Sequence, residues 1–211
     1  DVRWLQERNV HIWDKWEINE DGDWIDENTG KVLKHFDPSF AHTIGTAYGF
    51  IVKKYDLMNK LLNSLKNDKE DRRRVISLWQ DTAVLPSCVW SSEWDVTDGK
   101  LNIWVHQRSC DVPLGLPFNV TQYAVLLMMV AKVTGLEPGT IDWSIKDAHI
   151  YVNQIDGIKE QLNRYETKGS LPAPKLWLNP DIQDFYAFDP KNDVKLIGYE
   201  HMGKISFPLA Q

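Results

Sequence analysis

Residues 88–107 read CVWSSEWDVTDGKLNIWVHQ. Two runs rich in β-branched and aromatic residues flank Thr97-Asp98-Gly99-Lys100. Asp-Gly between such runs is among the stronger short-range hairpin signals. The stretch therefore predicts strands over 88–96 and 101–107, joined by a tight turn. In a hairpin centred on Asp98-Gly99, facing positions sum to about 197, so position 88 faces about 109. That register places Cys88 opposite Arg108-Ser109 and makes the open end of the hairpin the first place to look for chemistry.

Outward from the hairpin, helices and strands mix. Leu57, Met58, Leu61, Leu62 and Leu65 recur at helical spacing and predict an amphipathic helix of about four turns. Residues 74–79 read as a strand. Phe118–Val133 is nearly all apolar and too long for most strands, so it predicts a buried helix ended by Gly135. Further strands are expected over 141–152, 176–178, 194–199 and 205–208, and an amphipathic helix over 155–165. The acidic stretch 17–27 holds Asp21-Gly22 and is followed by Asn28-Thr29-Gly30, so it predicts a hairpin or loop. Its carboxylates do not fit EF-hand spacing, which argues against calcium. No regular βαβ alternation, repeat or linker is visible. The expected class is α+β: one domain over 1–211, with a large twisted mixed sheet covered by helices.

Composition narrows the function. The chain has 211 residues, 43% hydrophobic and 26% charged, which excludes a disordered or collagen-like chain. The longest apolar run, around 124–130, is about a third of a membrane span. A net charge of −6 disfavours a nucleic-acid backbone as main partner, so any bound phosphate needs a local basic cluster. Two cysteines make no disulfide framework, and a reducing cytoplasm is the expected compartment.

Three groups of residues can carry chemistry. A buried cysteine is usually an inert small hydrophobe; a nucleophilic one needs positive charge nearby to favour the thiolate. Cys88 has two candidate sources, Arg108 and the run Arg72-Arg73-Arg74, although an arginine run is more often a solvated patch. Arg108 and Ser109 also suit an anion, since a guanidinium fork plus a hydroxyl can hold several phosphate oxygens. With Arg72 and Arg73 they would accommodate a nucleoside monophosphate. No glycine-rich phosphate loop is present, so a triphosphate site of that kind is not supported.

Residues 107–119 read QRSCDVPLGLPFN. Together with Pro86-Ser87-Cys88, His11-Ile12-Trp13-Asp14-Lys15-Trp16, Gly45-Thr46-Ala47-Tyr48-Gly49, Arg72-Arg73 and Asp147-Ala148-His149-Ile150-Tyr151, they closely resemble the thymidylate synthases. The matches fall in the family's order over almost the whole chain. The resemblance implies reductive methylation of dUMP at C5, with 5,10-methylenetetrahydrofolate as both carbon donor and reductant, no metal, and dihydrofolate and dTMP as products.

Carried over position by position, Cys88 matches the nucleophile that adds to uracil C6. Arg108, Ser109 and Gln107 match the substrate shell. Arg72 and Arg73 match the pair that reaches across from a partner subunit, which implies a homodimer. Asn119 matches the residue that reads the uracil edge, where dCMP hydroxymethylases carry Asp. His149 and Tyr151 match groups on the deoxyribose 3′-hydroxyl. Asp111 matches the carboxylate beside the folate pterin. Ile12, Trp13, Trp16, Leu114, Gly115 and Phe118 match the folate wall, and Tyr48 the tyrosine near C5 where a proton must leave.

The family's catalytic Glu and a phosphate-closing arginine would lie upstream of Asp1, so a preceding segment is expected. The 79–88 segment is shorter than usual, Val89 stands where many members have His, and Gln211 is polar where the family's end is apolar. The nearest rival is a dUMP or dCMP hydroxymethylase on the same fold. A non-catalytic nucleotide or carbohydrate binder, suggested by ten Trp, would not need Cys88, Arg108 and Asn119 together. A cysteine hydrolase with His149 as base is a third rival. RNA binding, a side activity of the family, is secondary given the acidic charge.

Overall fold

The computed structural model describes residues 1–81 and 83–209. The chain divides into two compact units, 1–61 with 75–92 and 62–74 with 93–211.

The first unit opens with α1 (Val2–Gln6), capped by the Asp1 carboxylate on the Trp4 N–H at 3.1 Å. The acidic stretch forms a hairpin of β1 (Asp23–Ile25) and β2 (Val32–His35). Its turn is closed by Asp26, whose carboxylate accepts the N–H groups of Asn28 and Thr29 at 2.9 Å each. Those backbone bonds hold the Asp26 carboxyl below its ordinary pKa. α2 (Gly49–Lys54) and the start of α3 (Leu57–Asn67) follow. Ile18, Ile51, Met58, Leu61, Ile76 and Leu78 are buried as this unit's core. β3 (Val75–Ser77) continues into Leu78, whose N–H bonds the Trp90 carbonyl at 2.8 Å in the opening of β4 (Val89–Thr97).

In the second unit β4 turns into β5 (Lys100–Gln107) through the two residues Asp98 and Gly99, with φ of 51° and 77°. Two successive positive φ values define the turn that matches strand twist, and this is why Asp-Gly is the effective pair there. After β6 (Cys110–Asp111) comes α4 (Leu116–Thr134), ended by Gly135 in the left-handed conformation (φ 68°). β7 (Glu137–Ile145) then pairs parallel with β5, from Lys100↔Glu137 to Gln107↔Ile145. Parallel strands need such a crossover, and α4 packs its buried face, Tyr123, Leu127, Val130 and Ala131, over them. β4, β5 and β7 thus form a mixed sheet, in keeping with the α+β expectation. β8 (Ala148–His149), α5 (Ile155–Lys168), β9 (Lys175–Leu178) and β10 (Val194–Ile197) complete the unit, the last two as an antiparallel pair.

Several expectations change. α3 spans 11 residues, about three turns rather than four. The strand expected over 141–152 starts at Glu137 and breaks at 146–147, because β8 leaves the sheet to pair with β6. Residues 205–208 form no strand; the Phe207 ring lies against Gly157 of α5, and the Pro208 carbonyl accepts from Gln154 Nε2 at 3.2 Å. α4 is buried on one side only, with Phe118 73% exposed near its start. By length and composition α4 is apolar enough to cross a membrane (mean hydropathy 1.3), more than its longest uninterrupted apolar run suggested. Its packing on β5 and β7 accounts for the buried side, 28% of that span. Finally, Arg74 is buried, while Arg72 and Arg73 are exposed as a solvated pair.

Candidate active site

In the first unit, four of the expected residues come together. The loop before β4 is anchored by buried Ser87, which donates to the Leu78 carbonyl at 3.0 Å. This fixes the next residue, Cys88, as a half-buried cysteine outside any disulfide. The Cys88 backbone N–H donates to the Tyr48 hydroxyl oxygen at 3.2 Å. Tyr48 sits at the N-cap of α2 with φ 45°, an uncommon conformation for a bulky residue. Its ring meets Trp13 edge-on at 5.8 Å, and Trp13 meets Trp16 at 5.6 Å. The two Trp come from the His11–Trp16 segment, whose one-turn helix (Asp14–Trp16) follows the His11–Asp14 contact at 2.9 Å. Ile12 beside them is 51% exposed. The aromatic wall and the thiol-bearing residue therefore belong to one cluster.

The second unit gathers most of the rest. β6 and β8 pair in parallel, Cys110 with Ala148 and Asp111 with His149. This ladder sets the Asp111 carboxylate and the His149 ring on neighbouring strands. His149 and Tyr151 meet edge-on at 5.0 Å. The His149 Nδ1 lies 3.5 Å from Asp147 but makes no hydrogen bond. Asp111 closes the turn into α4, its Oδ1 accepting the Leu114 N–H at 3.1 Å and its carbonyl the Gly115 N–H at 2.7 Å. Leu114 and Gly115 are half-buried at this turn, and Phe118 projects from the first turn of α4.

Asn119, also in the first turn of α4, is oriented by a chain of amides. The Trp143 indole N–H donates to Gln107 Oε1 at 2.9 Å. Indole nitrogen is donor only, so the oxygen end of the Gln107 amide must face it. Gln107 Nε2 in turn donates to the Ser109 carbonyl at 2.9 Å and to Asn119 Oδ1 at 3.2 Å. Gln107 is 3% exposed, so water does not compete for these groups. Trp143 thereby fixes which atom of the Asn119 amide is the acceptor and which remains as donor. Arg108 and Ser109, half-buried, follow the end of β5.

Arg72 and Arg73 lie on the loop that precedes β3. The Arg73 Nε and backbone N–H both donate to Asp71 Oδ1 at 3.0 Å, and Ser64 donates to Asp71 Oδ2 at 2.8 Å. The Ser64 hydroxyl, followed by Arg73, holds the Asp71 carboxyl down at about 2. Ser64 also accepts from buried Arg74 Nε at 2.9 Å, which ties the arginine loop to α3.

Three residues with evident positioning roles were not legible beforehand: Trp143, Gln154 and Asp71. Only Gln154 had a sequence signal, as the third residue after Tyr151 at a helix start, where a Gln reaches back to the preceding N–H. The structure shows that bond, Tyr151 N–H to Gln154 Oε1 at 3.1 Å. The polar chain end noted in the sequence, Gln211, lies outside the described residues.

A sequence model of the thymidylate synthase family matches residues 1–211. The chain is 47% identical to the thymidylate synthase of Clostridium beijerinckii over 213 residues, covering 99% of this chain and 72% of that protein. It is 40% identical to that of Bacillus phage phi3T over 223 residues, covering 100% and 71%. Among solved structures it is similar to a thermostable thymidylate synthase A from Bacillus subtilis, with a TM-score of 0.80, 37% identity, and coverage of 99% and 71%. Agreement with the family in sequence and fold, along the whole of residues 1–211, completes what the site residues indicate: the chain belongs to the thymidylate synthase family.

Proposed function

We propose that this chain methylates dUMP to dTMP through a covalent adduct between Cys88 and uracil C6. The overall reaction is that of the family, with 5,10-methylenetetrahydrofolate as co-substrate and dihydrofolate as co-product. The Cys88 thiolate adds to C6, and the electron pair moves to C5, which becomes the nucleophile for the folate's one-carbon unit. The C5 proton then leaves to a base or water chain in which the Tyr48 hydroxyl takes part. The bond from the transferred carbon to the folate nitrogen then breaks, which releases tetrahydrofolate and leaves an exocyclic methylene at C5. Hydride transfer from that tetrahydrofolate to the methylene re-forms the C5–C6 double bond and expels the Cys88 thiolate, giving dTMP and dihydrofolate.

The other site residues bind and orient. Arg108 and Ser109 hold the phosphate, joined by Arg72 and Arg73 of a partner subunit in a homodimer. His149 and Tyr151 hold the deoxyribose hydroxyl. Trp13, Trp16, Ile12, Leu114, Gly115 and Phe118 wall the folate, with Asp111 at its pterin. The compartment is cytoplasmic, and 1–211 belongs to a single thymidylate synthase domain.

The observation that carries this reading is the bond from Gln107 to Asn119 at 3.2 Å. An amide alone can pair with uracil or, flipped, with cytosine, because each orientation complements one of the two edges. Flipping Asn119 would set two NH₂ groups face to face, so one orientation is retained. The test is product analysis with dUMP and dCMP in the presence of methylenetetrahydrofolate. The expected result is dTMP plus dihydrofolate from dUMP, and no product from dCMP. A hydroxymethylated pyrimidine without dihydrofolate would replace this reading by the hydroxymethylase.

A further inference from the structure

Gln154 is fully buried, with 0% of its surface exposed. Its side-chain amide makes three bonds. Oε1 accepts the Tyr151 N–H at 3.1 Å, and Nε2 donates to Asp111 Oδ2 at 2.9 Å and to the Pro208 carbonyl at 3.2 Å. Both amide hydrogens are thus committed to different parts of the unit.

The segment 202–208 contains no strand or helix. It is held at three points. Arg164 Nη1 donates to the carbonyls of Met202 and Gly203 at 3.1 and 2.9 Å. Gly157 lets the Phe207 ring approach so closely that a Cβ there would lie 2.6 Å from it. Gln154 is the third point, and it is the one that also touches Asp111.

We propose that Gln154 is a positioning residue that couples the docking of segment 202–208 to the orientation of the Asp111 carboxylate. The proposal rests on the reading of Asp111 as the carboxylate beside the folate. Asp111 Oδ1 is fixed by the Leu114 N–H, so Gln154 sets the other oxygen. If Pro208 withdraws, one buried N–H of Gln154 loses its partner, and an unsatisfied buried donor is unfavourable. The amide would turn to recover a partner and would carry its bond to Asp111 with it. Docked segment and aligned carboxylate therefore favour each other, and the coupling is reciprocal.

The test uses the purified enzyme and three variants. Gln154→Glu keeps the acceptor for Tyr151 and removes both donors; Gln154→Leu removes all three bonds; Asp111→Asn serves as control. Three quantities are read: KM for methylenetetrahydrofolate, the dissociation constant of dUMP alone, and amide hydrogen exchange of a peptide covering 200–209. The expected result for Gln154→Glu is a folate KM raised by about ten-fold, as for loss of one charge-assisted hydrogen bond, with dUMP binding changed by less than about two-fold. Exchange in 200–209 should quicken in the same variant. Gln154→Leu should do the same or more, and if it does not fold, Gln154→Glu decides.

An unchanged folate KM in the Gln154 variants, with a raised one in Asp111→Asn, would overturn the coupling alone. An unchanged folate KM in Asp111→Asn would overturn the folate role of Asp111, and the coupling with it. Equal weakening of dUMP and folate would mean a merely structural Gln154 and would also overturn the proposal.

Discussion

The Tyr48 hydroxyl oxygen accepts the backbone N–H of Cys88 at 3.2 Å. The bond joins the N-cap of α2 to the residue just before β4, so it fixes the phenol and the thiol-bearing backbone at once. It also holds Tyr48 in a φ of 45°, where local strain of about 1–3 kcal/mol is expected for a non-glycine residue. Tyr48→Phe keeps the ring against Trp13 and removes the oxygen. Its kcat should fall by about a hundred-fold, the lower range for loss of an acid–base group, with little change in dUMP binding. Pre-steady-state and steady-state turnover would check this; a variant within about two-fold of wild-type kcat would remove Tyr48 from the proton path.

Trp143→Phe tests the amide relay. Phenylalanine preserves the edge-on packing on Tyr123, at 5.5 Å in the native structure, but cannot donate to Gln107. A buried Oε1 without a donor costs about 1–3 kcal/mol, so Gln107 reorients and the polarity of Asn119 is no longer enforced. The ratio of dUMP to dCMP affinity should fall by about ten-fold. Competition binding of the two nucleotides measures it. An unchanged ratio would show that the polarity of Asn119 is set elsewhere.

These two cases mark what a sequence can and cannot reveal. The Asp98-Gly99 turn, the α4 helix with its Gly135 end, and α3 follow from local rules and were legible as periodicity and turn chemistry. Cys88 and Asn119 were legible as chemical types within specific motifs. Trp143 was not, because its partner Gln107 is 36 residues away and only the parallel pairing of β5 with β7 makes them neighbours. Gln154 meets Asp111 across 43 residues for a similar reason. Arg74 read as part of a charged run, and its burial depends on Ser64 and the Asp68 carbonyl, which no local pattern announces. The 205–208 segment misled because alternating apolar residues look like a strand whether they pair with one or pack on a helix.

Cys88 and Cys110 should differ sharply toward an alkylating reagent. Cys110 is 1% exposed on β6, while Cys88 is half-buried at the head of β4. Under native conditions iodoacetamide should modify Cys88 first, with activity lost in proportion, and Cys110 only on unfolding. Peptide mass mapping over time distinguishes the two. Modification of Cys110 at an equal rate would contradict the packing described for β6 and β8.

Asp71 makes a pH prediction. The Ser64 hydroxyl and Arg73 hold its carboxyl down at about 2, against an ordinary value of 3.8. A lowered folded-state value means stability that is present above the ordinary pKa and lost as pH falls toward 2. Asp71→Asn should therefore be less stable than wild type at pH 7, and the gap should narrow between about pH 4 and pH 2. Thermal melts across that range would check it. A gap that stays constant with pH would mean that the Asp71 charge contributes nothing.

A covalent path through Cys88 makes turnover depend on its thiolate. The most direct test of that path is dihydrofolate formation, followed by ultraviolet absorbance, with dUMP and methylenetetrahydrofolate, comparing wild type with Cys88→Ser and measuring dUMP affinity for both. The expected result is a dUMP-dependent rise for wild type, a rate lower by at least about a thousand-fold for Cys88→Ser, and dUMP affinity within about three-fold. Comparable dihydrofolate formation by Cys88→Ser would contradict it.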